Sequence, residues 1–364
     1  MNQQRWRNIV SGRAEGAGPA AARAGLRFAS VGYAAAVAAR NCLYDRRILS
    51  IYKPKAPVIS VGNIAAGGTG KTPLVIWLYE MLKDKCRLAI LTRGYKAAGG
   101  RSDSRTGNLD EPALLEKACP AAAVVVNADR AAGARRAGEE LGAEVLLLDD
   151  GFQHRRIFRD LDIVVVDSTC PFGYDRMLPA GLLREPVGSL ARADAVVLTR
   201  CDQVGTAELN RIEDRLGRIK TDLPAARSVH EPTAVSIARE AAAEKHPARF
   251  LEGRKVFAFC GIGNPASFVA SLKALGAVVV GRRFFDDHHH YTAGDIANIR
   301  SLARRHFAEL AVTTQKDFTK IGQERSRAQP PAIACLEIRL RITAGSRRLI
   351  QLIERTVAGR ISVR

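Results

Sequence analysis

Six short runs precede Arg200: "PVISVG" from Pro57, "RLAILT" from Arg87, "AAVVV" at 122–126, "EVLLLD" from Glu144, "DIVVVD" from Asp162 and "DAVVLT" from Asp194. They are apolar throughout rather than alternating, the pattern of strands buried on both faces. Such strands lie in a parallel sheet and need helices between them. After the first run, Leu74, Trp77, Leu78, Met81 and Leu82 fall on one helical stripe. The reading is a doubly wound, mostly parallel α/β domain. A charged, less periodic stretch follows to about residue 253, then a smaller α/β pattern: "KVFAFC", a turn at "GIGNP", a helix at 266–275, "AVVVG", a helix after "YTAGD", and "ELAVTT". The expected organisation is an N-terminal segment 1–50, a core 51–205, a linking region 206–252 and a smaller α/β domain 253–364.

The core domain carries a phosphate-loop motif. "SVGNIAAGGTGKTP" follows a strand and precedes an amphipathic helix. In the strict pattern G-x-x-x-x-G-K-[ST] the first glycine would stand at Ala65. The stretch Ala65, Ala66, Gly67, Gly68, Thr69, Gly70, Lys71 and Thr72 keeps the rest. Its glycines let backbone N–H groups turn toward phosphate oxygens, Lys71 reaches the outer phosphates and Thr72 is placed to ligate Mg²⁺. The fold class is therefore a P-loop NTPase. Asp149 and Asp150 close the run "EVLLLD", the place of a metal-holding strand-end aspartate, although Asp-Gly is also ordinary turn chemistry. "LDEPALL" reads equally as a helix start capped by Asp110. The three histidines of "DDHHHYT" point in different directions and are poorly arranged for one metal. An Asp and a His from distant segments make a general base, but sequence alone does not pair them. "LTRCD" has the location of a guanine-reading element, with Thr199 and Arg200 in place of its Asn and Lys, and supports no guanine specificity.

With 56 Lys and Arg against 37 acids, the chain carries +19 and is drawn to anionic partners. Aromatics are only 6%, and no zinc-finger spacing or aromatic-rich signature directs that charge to nucleic acid. Seven scattered cysteines, never in C-x-x-C, suit a reduced compartment. The first 55 residues hold ten basic side chains against two acids around "FASVGYAAAVAA" at 28–39. Twelve residues are short of the roughly 20 that a helix needs to cross a bilayer. The segment reads as a helix on an anionic membrane surface, with Arg23, Arg27, Arg40, Arg46 and Arg47 as its cations. The rival readings are a signal peptide and an alanine-rich helix packed on the protein's own body.

Taken in order, "SVGNIAAGGTGKTP", "LTRGYK", "DEP", "ADR", "LLLDDGFQHR", "LPAGLLREP", "DDHHHYT" and "TTQKD" resemble the tetraacyldisaccharide 4'-kinase family over roughly residues 50–320. The resemblance implies transfer of the γ-phosphate of ATP, with Mg²⁺, to the 4'-hydroxyl of an anionic acylated disaccharide lipid in lipid A biosynthesis. It implies a peripheral or monotopic enzyme on the cytoplasmic face of the bacterial inner membrane, with no nucleic acid and no obligate protein partner. It gives Asp149, Asp150 and Glu185 to the metal with Thr72. Asp110 becomes the base, paired with His288 of the smaller domain. Arg93, Arg130, Gln153 and Arg184 become phosphate or substrate contacts. Leu109 and Gln315 depart from the family's usual glycine and glutamate, and His290 adds a histidine. Two other readings share the loop: a partitioning-type switch ATPase, which would have a lysine at Ala66, and a P-loop kinase of another small hydroxylated substrate.

Overall fold

The structure is a computed structural model that describes residues 3–94, 110–238, 243–287, 289–322 and 330–361. Its elements begin with helices α1 (Gln3–Val10) and α2 (Ala17–Asp45), then β1 (Val58–Gly62), α3 (Lys71–Leu82), β2 (Leu88–Thr92), α4 (Asp110–Ala118), β3 (Ala123–Val126), α5 (Arg130–Glu139), β4 (Val145–Asp149), β5 (Leu161–Asp167) and β6 (Ala195–Thr199). They continue with α6 (Thr206–Ile219), β7 (Ala225–Ile237), β8 (Glu244–Pro247), β9 (Lys255–Cys260), α7 (Pro265–Ala274), β10 (Val278–Phe284), α8 (Ala293–Arg305), β11 (Leu310–Thr314), α9 (Gln315–Lys320), β12 (Ala332–Ala344) and α10 (Ser346–Ile361).

The chain divides into two compact units, Gln3–Val229 with Ile342–Arg364, and His230–Arg341. This differs from the expected boundaries at 205 and 252. Helix α6 is no linker, because Leu209, Ile212 and Leu216 bury one stripe in the first unit's core. Helix α10 returns to the first unit, burying Leu349 and Ile353. The chain passes between the units within the 13-residue strands β7 and β12, so no composition shift marks the crossing.

In the first unit the strand order is β7-β6-β5-β1-β4-β2-β3, and every neighbouring pair is parallel. Strands β1, β2, β4, β5 and β6 are buried at every residue, as their unbroken apolar runs require. The chain leaves β1 for β2 on one side and β4 for β5 on the other. This switch point puts a crevice at the carboxyl ends of β1 and β4. The expected stripe on α3 is rotated: Leu74, Val75, Leu78, Tyr79 and Leu82 are buried, while Trp77 and Met81 are half-buried.

In the second unit β10, β9, β11 and β12 form a parallel array, and β8 pairs antiparallel with β7. Val256, Ala258, Leu272 and Val312 fill one face, and Phe257, Phe259, Ile296 and Ile299 the other.

The N-terminal helix is longer than its apolar run. Helix α2 has 29 residues, and no helix among the described residues is long and apolar enough to cross a membrane. One side of α2 lies on the body of the first unit: Ser30 Oγ donates to the Met177 carbonyl at 3.0 Å, Tyr33 Oη to the Arg184 carbonyl at 3.1 Å, and Val37 is buried. The other side exposes Phe28 at 85% and Val31 at 68%. One face of α2 thus packs on the protein's own body, and the opposite face is exposed.

Candidate active site

The site grows from one register. Val61 on β1 is the partner of Asp149 on β4, so the strand-end aspartate stands beside the root of the phosphate loop. The turn after Asp149 then folds tightly onto β1. A Cβ on Gly62 would lie 2.4 Å from Phe152 Cβ, and one on Gly151 would lie 2.4 Å from Ser60 Oγ. Only glycine fits either position. Asp150, at φ 55°, takes the left-handed conformation that turns its side chain out of the strand direction.

The loop itself explains Ala65. Residues 64–66 are paired with a segment more than a hundred positions away: Ala65 bridges Leu183 in antiparallel fashion, Ala66 N–H donates to the Leu182 carbonyl at 2.7 Å, and Arg184 N–H donates to the Ile64 carbonyl at 2.7 Å. The first position of the motif is therefore ordinary extended backbone that needs no glycine. Gly67 (φ 117°) and Gly70 (φ 101°) occupy conformations that L side chains rarely adopt. Gly70 caps α3, which starts at Lys71.

Side chains brace the loop. Asn63 Nδ2 donates to Thr69 Oγ1 at 2.9 Å, and Thr199 Oγ1 donates to the Thr69 carbonyl at 2.8 Å. The buried Arg200 donates to the Gly68 carbonyl at 2.8 Å and to the Asp167 carboxylate. Thr199 and Arg200, which stand at the place of a base-reading element, serve the loop backbone instead. Their signal was position: the turn after β6 meets the loop after β1 in this topology. Replacing Arg200 with Ala frees the Gly68 carbonyl and should weaken nucleotide binding about ten-fold, with Arg200→Lys recovering part of it. Titration with a fluorescent nucleotide measures this.

Charge is concentrated at Asp150. Lys71 Nζ lies 3.4 Å from it, and one Arg184 nitrogen reaches both its oxygens at 2.9 and 3.0 Å. Burial pushes the Asp150 carboxyl up, but Lys71 and Arg184 outweigh that and hold it well below the usual carboxylate range. Asp149 goes the other way. Burial, then the neighbouring charge of Glu111, push it up to about 7 against the pull of Lys71. Glu111, the middle residue of "DEP", was overlooked because Asp110 absorbed the reading of that motif. Its influence on Asp149 brings the start of α4 to the site.

Of the expected contacts, Arg130 is buried, donates to the Asn127 carbonyl at 2.6 Å and feels the charges of Asp149 and Asp150. Arg93 is exposed, and its charge acts against that of Arg130. Gln153 Nε2 donates to the Asn63 carbonyl at 2.7 Å. Glu185 is completely buried, with Arg40 at 3.0 Å on one oxygen and Asn41 at 3.0 Å and Arg192 at 2.8 Å on the other. The structure thus gives this expected metal ligand protein partners on both oxygens. Asp110 opens α4, but its side chain, like His288, lies outside the described residues. His289 stacks on Phe285 at 4.4 Å and lies 3.2 Å from Asp295, while His290 is exposed.

The residues fit a nucleotide-bound dication. Buried Asp149 Oδ1 and Gln153 Oε1 have no hydrogen-bond partner among the described residues. No cluster of three or more His, Cys, Asp or Glu side chains among the described residues forms a complete metal cage. One or two carboxylates, a threonine hydroxyl and phosphate oxygens make up the kind of ligand set Mg²⁺ accepts.

This geometry can be set beside known proteins. The family model described as tetraacyldisaccharide-1-P 4'-kinase, LpxK, matches residues 22–358. The chain belongs to that family. A tetraacyldisaccharide 4'-kinase of Anaeromyxobacter dehalogenans (strain 2CP-C) is 40% identical over 346 residues, covering 90% of each chain. One from Syntrophus aciditrophicus (strain SB) is 39% identical over 334 residues, covering 87% of this chain and 89% of the relative. Among solved structures, LpxK from Aquifex aeolicus in complex with ATP superposes with a TM-score of 0.67 at 32% identity, covering 92% of this chain and 99% of that one.

Proposed function

We propose that this member of the 4'-kinase family transfers the γ-phosphate of ATP to the 4'-hydroxyl of a tetraacyldisaccharide 1-phosphate, at the cytoplasmic face of the inner membrane. The observation that carries the reading is the closure of the "LREP" segment on the phosphate loop, which sets Arg184 on Asp150. A switch ATPase would place a lysine at position 66. Here Ala66 has no cation to offer, and its N–H is spent on Leu182.

In this mechanism the backbone N–H groups around Gly67 and Gly70 cradle the phosphates, and Lys71 moves its charge toward the outer ones. Thr72 with Asp149 and Asp150 would hold Mg²⁺, which when bound neutralises charge on the transferring phosphoryl group. Lys71 and Arg184 keep Asp150 ionised, and Arg130 adds positive potential beside the same strand end. Asp110, paired with His288, is proposed to accept the proton of the attacking hydroxyl. Asp110→Ala and His288→Ala should lower kcat about 10²- to 10⁴-fold with nucleotide affinity kept. Loss of affinity instead would move those residues to binding.

The acceptor is tested by ADP release across a panel in detergent micelles: tetraacyldisaccharide 1-phosphate, the deacylated disaccharide and simple sugars. Release that depends on the acylated disaccharide is expected. Equal release with a small sugar would favour a kinase of another hydroxylated substrate.

The exposed face of α2 supports attachment to a lipid surface. Phe28 and Val31 project from it, and of the five arginines assigned to a membrane, Arg27, Arg46 and Arg47 are exposed. Arg23 instead donates to the Ala14 carbonyl at 2.7 Å, and Arg40 is held by Glu185. The double variant Phe28→Asp, Val31→Asp should reduce partitioning onto anionic vesicles at least about ten-fold, measured by co-sedimentation. Unchanged sedimentation would assign this face another use.

A further inference from the structure

The C-terminal half of α2 grips two segments that build the nucleotide site. Arg40 and Asn41 each donate to Glu185 at 3.0 Å, and Tyr33 Oη donates to the Arg184 carbonyl at 3.1 Å. From the other side, the buried Arg155 of "DDGFQHR" donates to the Asn41 carbonyl at 3.1 Å and to Asp45 at 2.7 Å. These contacts fall next to Arg184 and close after Asp150, whose ion pair joins the same two segments. A membrane anchor requires none of them. The tyrosine, arginine and asparagine converge instead on Arg184 and Glu185, the first on a backbone carbonyl and the other two on a carboxylate from which water is excluded. A buried carboxylate is held in one place only while its hydrogen-bond donors are present, so Glu185 and the Arg184 beside it depend on what α2 supplies together with Arg192, which donates to the same carboxylate at 2.8 Å.

We infer that Arg40 and Asn41 are positioning residues of the nucleotide site: through Glu185 they seat Arg184 on Asp150. Helix α2 is then a wall of that site as well as a face toward lipid. The inference rests on the nucleotide-site part of the proposed function and is independent of the acceptor. Two consequences separate it from simple docking of the helix. The effect must be felt by nucleotide in the absence of lipid or vesicles, and it must depend on the contacts at Glu185 rather than on every contact α2 makes.

The test uses full-length protein with Mg²⁺ and a fluorescent ATP analogue, no lipid present, followed by steady-state kinetics in micelles. Arg40→Ala and Asn41→Ala should each raise the nucleotide Kd about ten-fold and raise KM for ATP in step, with KM for the lipid acceptor unchanged. Arg40→Lys should recover most of the loss, and Asn41→Asp, which sets a second carboxylate against Glu185, should bind more weakly than Asn41→Ala. Ser30→Ala removes a docking contact at Met177 and should bind nucleotide as wild type does. Circular dichroism and melting show whether each variant is folded, and the half-exposed Arg40 position tolerates truncation better than Asn41. Wild-type Kd values in Arg40→Ala and Asn41→Ala overturn the inference, as does a loss confined to the lipid KM or an equal loss in Ser30→Ala. A wild-type protein that binds no nucleotide would instead refute the reading of the site itself.

Discussion

Lys71→Ala will lower phosphoryl transfer by about two to three orders of magnitude while the protein stays folded. The size follows from what the side chain does. A positioned cation acting on developing phosphate charge in a water-poor site is worth about 10²–10³ in rate when removed. Lys71 is mostly buried, and its ammonium already lies 3.4 Å from Asp150. The fold should survive because Arg184 remains on both oxygens of Asp150, so that carboxylate is still neutralised. The relevant measurements are kcat and the melting temperature of the same preparation. A variant with full kcat would remove Lys71 from the phosphate site. A variant that unfolds would mean that the Lys71–Asp150 pair serves the fold first.

Asp317→Ala should be the most damaging substitution in the second unit, costing about 3–5 kcal/mol of stability, the usual cost of breaking a buried ion pair from one side. Asp317 is fully buried. It accepts from Thr314 Oγ1 at 2.7 Å and from the Gly261 N–H at 3.1 Å, and Lys320 lies 3.3 Å away with 1% of its side chain exposed. Truncation takes the carboxylate from a buried ammonium and also frees the turn at Gly261. Urea unfolding of the full chain measures the effect as a lowered midpoint. Asp317→Asn keeps the acceptor without the charge and should lose less. If the alanine variant is as stable as wild type, the network at Asp317 is not what fixes the start of α9.

How much of this was legible in the sequence depends on how local each interaction is. The parallel sheet was legible because β1, β4 and β5 are buried on both faces and so are written in unbroken apolar letters. The loop-to-helix turn that starts α3 at Lys71 and Thr72 was legible because a phosphate loop has those residue types at fixed spacing. Ala65 was not, since its tolerance comes from pairing with Leu183, a contact that no local pattern reports. Arg200 was weighed against a base-reading motif and found wanting, whereas its guanidinium serves the loop backbone instead. The domain boundary was misplaced because β7 and β12 run through it without a break, and because α10 returns to the first unit after the second is finished. The twelve apolar residues of the N-terminal segment marked only part of α2. Its remaining turns are rich in Ala and Arg, which favour helix without announcing a face. Glu185 was assigned by resemblance to the metal. The structure shows which residues hold it, and two of those lie on α2, a segment whose local pattern named no partner for it.

The central claim is that the site between β1 and β4 delivers phosphate to a lipid hydroxyl. The most direct measurement incubates the protein with γ-labelled ATP, Mg²⁺ and tetraacyldisaccharide 1-phosphate in micelles, then locates the label on the product. The account predicts label on the lipid as a phosphomonoester at the 4' position, appearing about 10²- to 10³-fold more slowly with Lys71→Ala. Label recovered only as free phosphate, with the lipid unmodified, would contradict it.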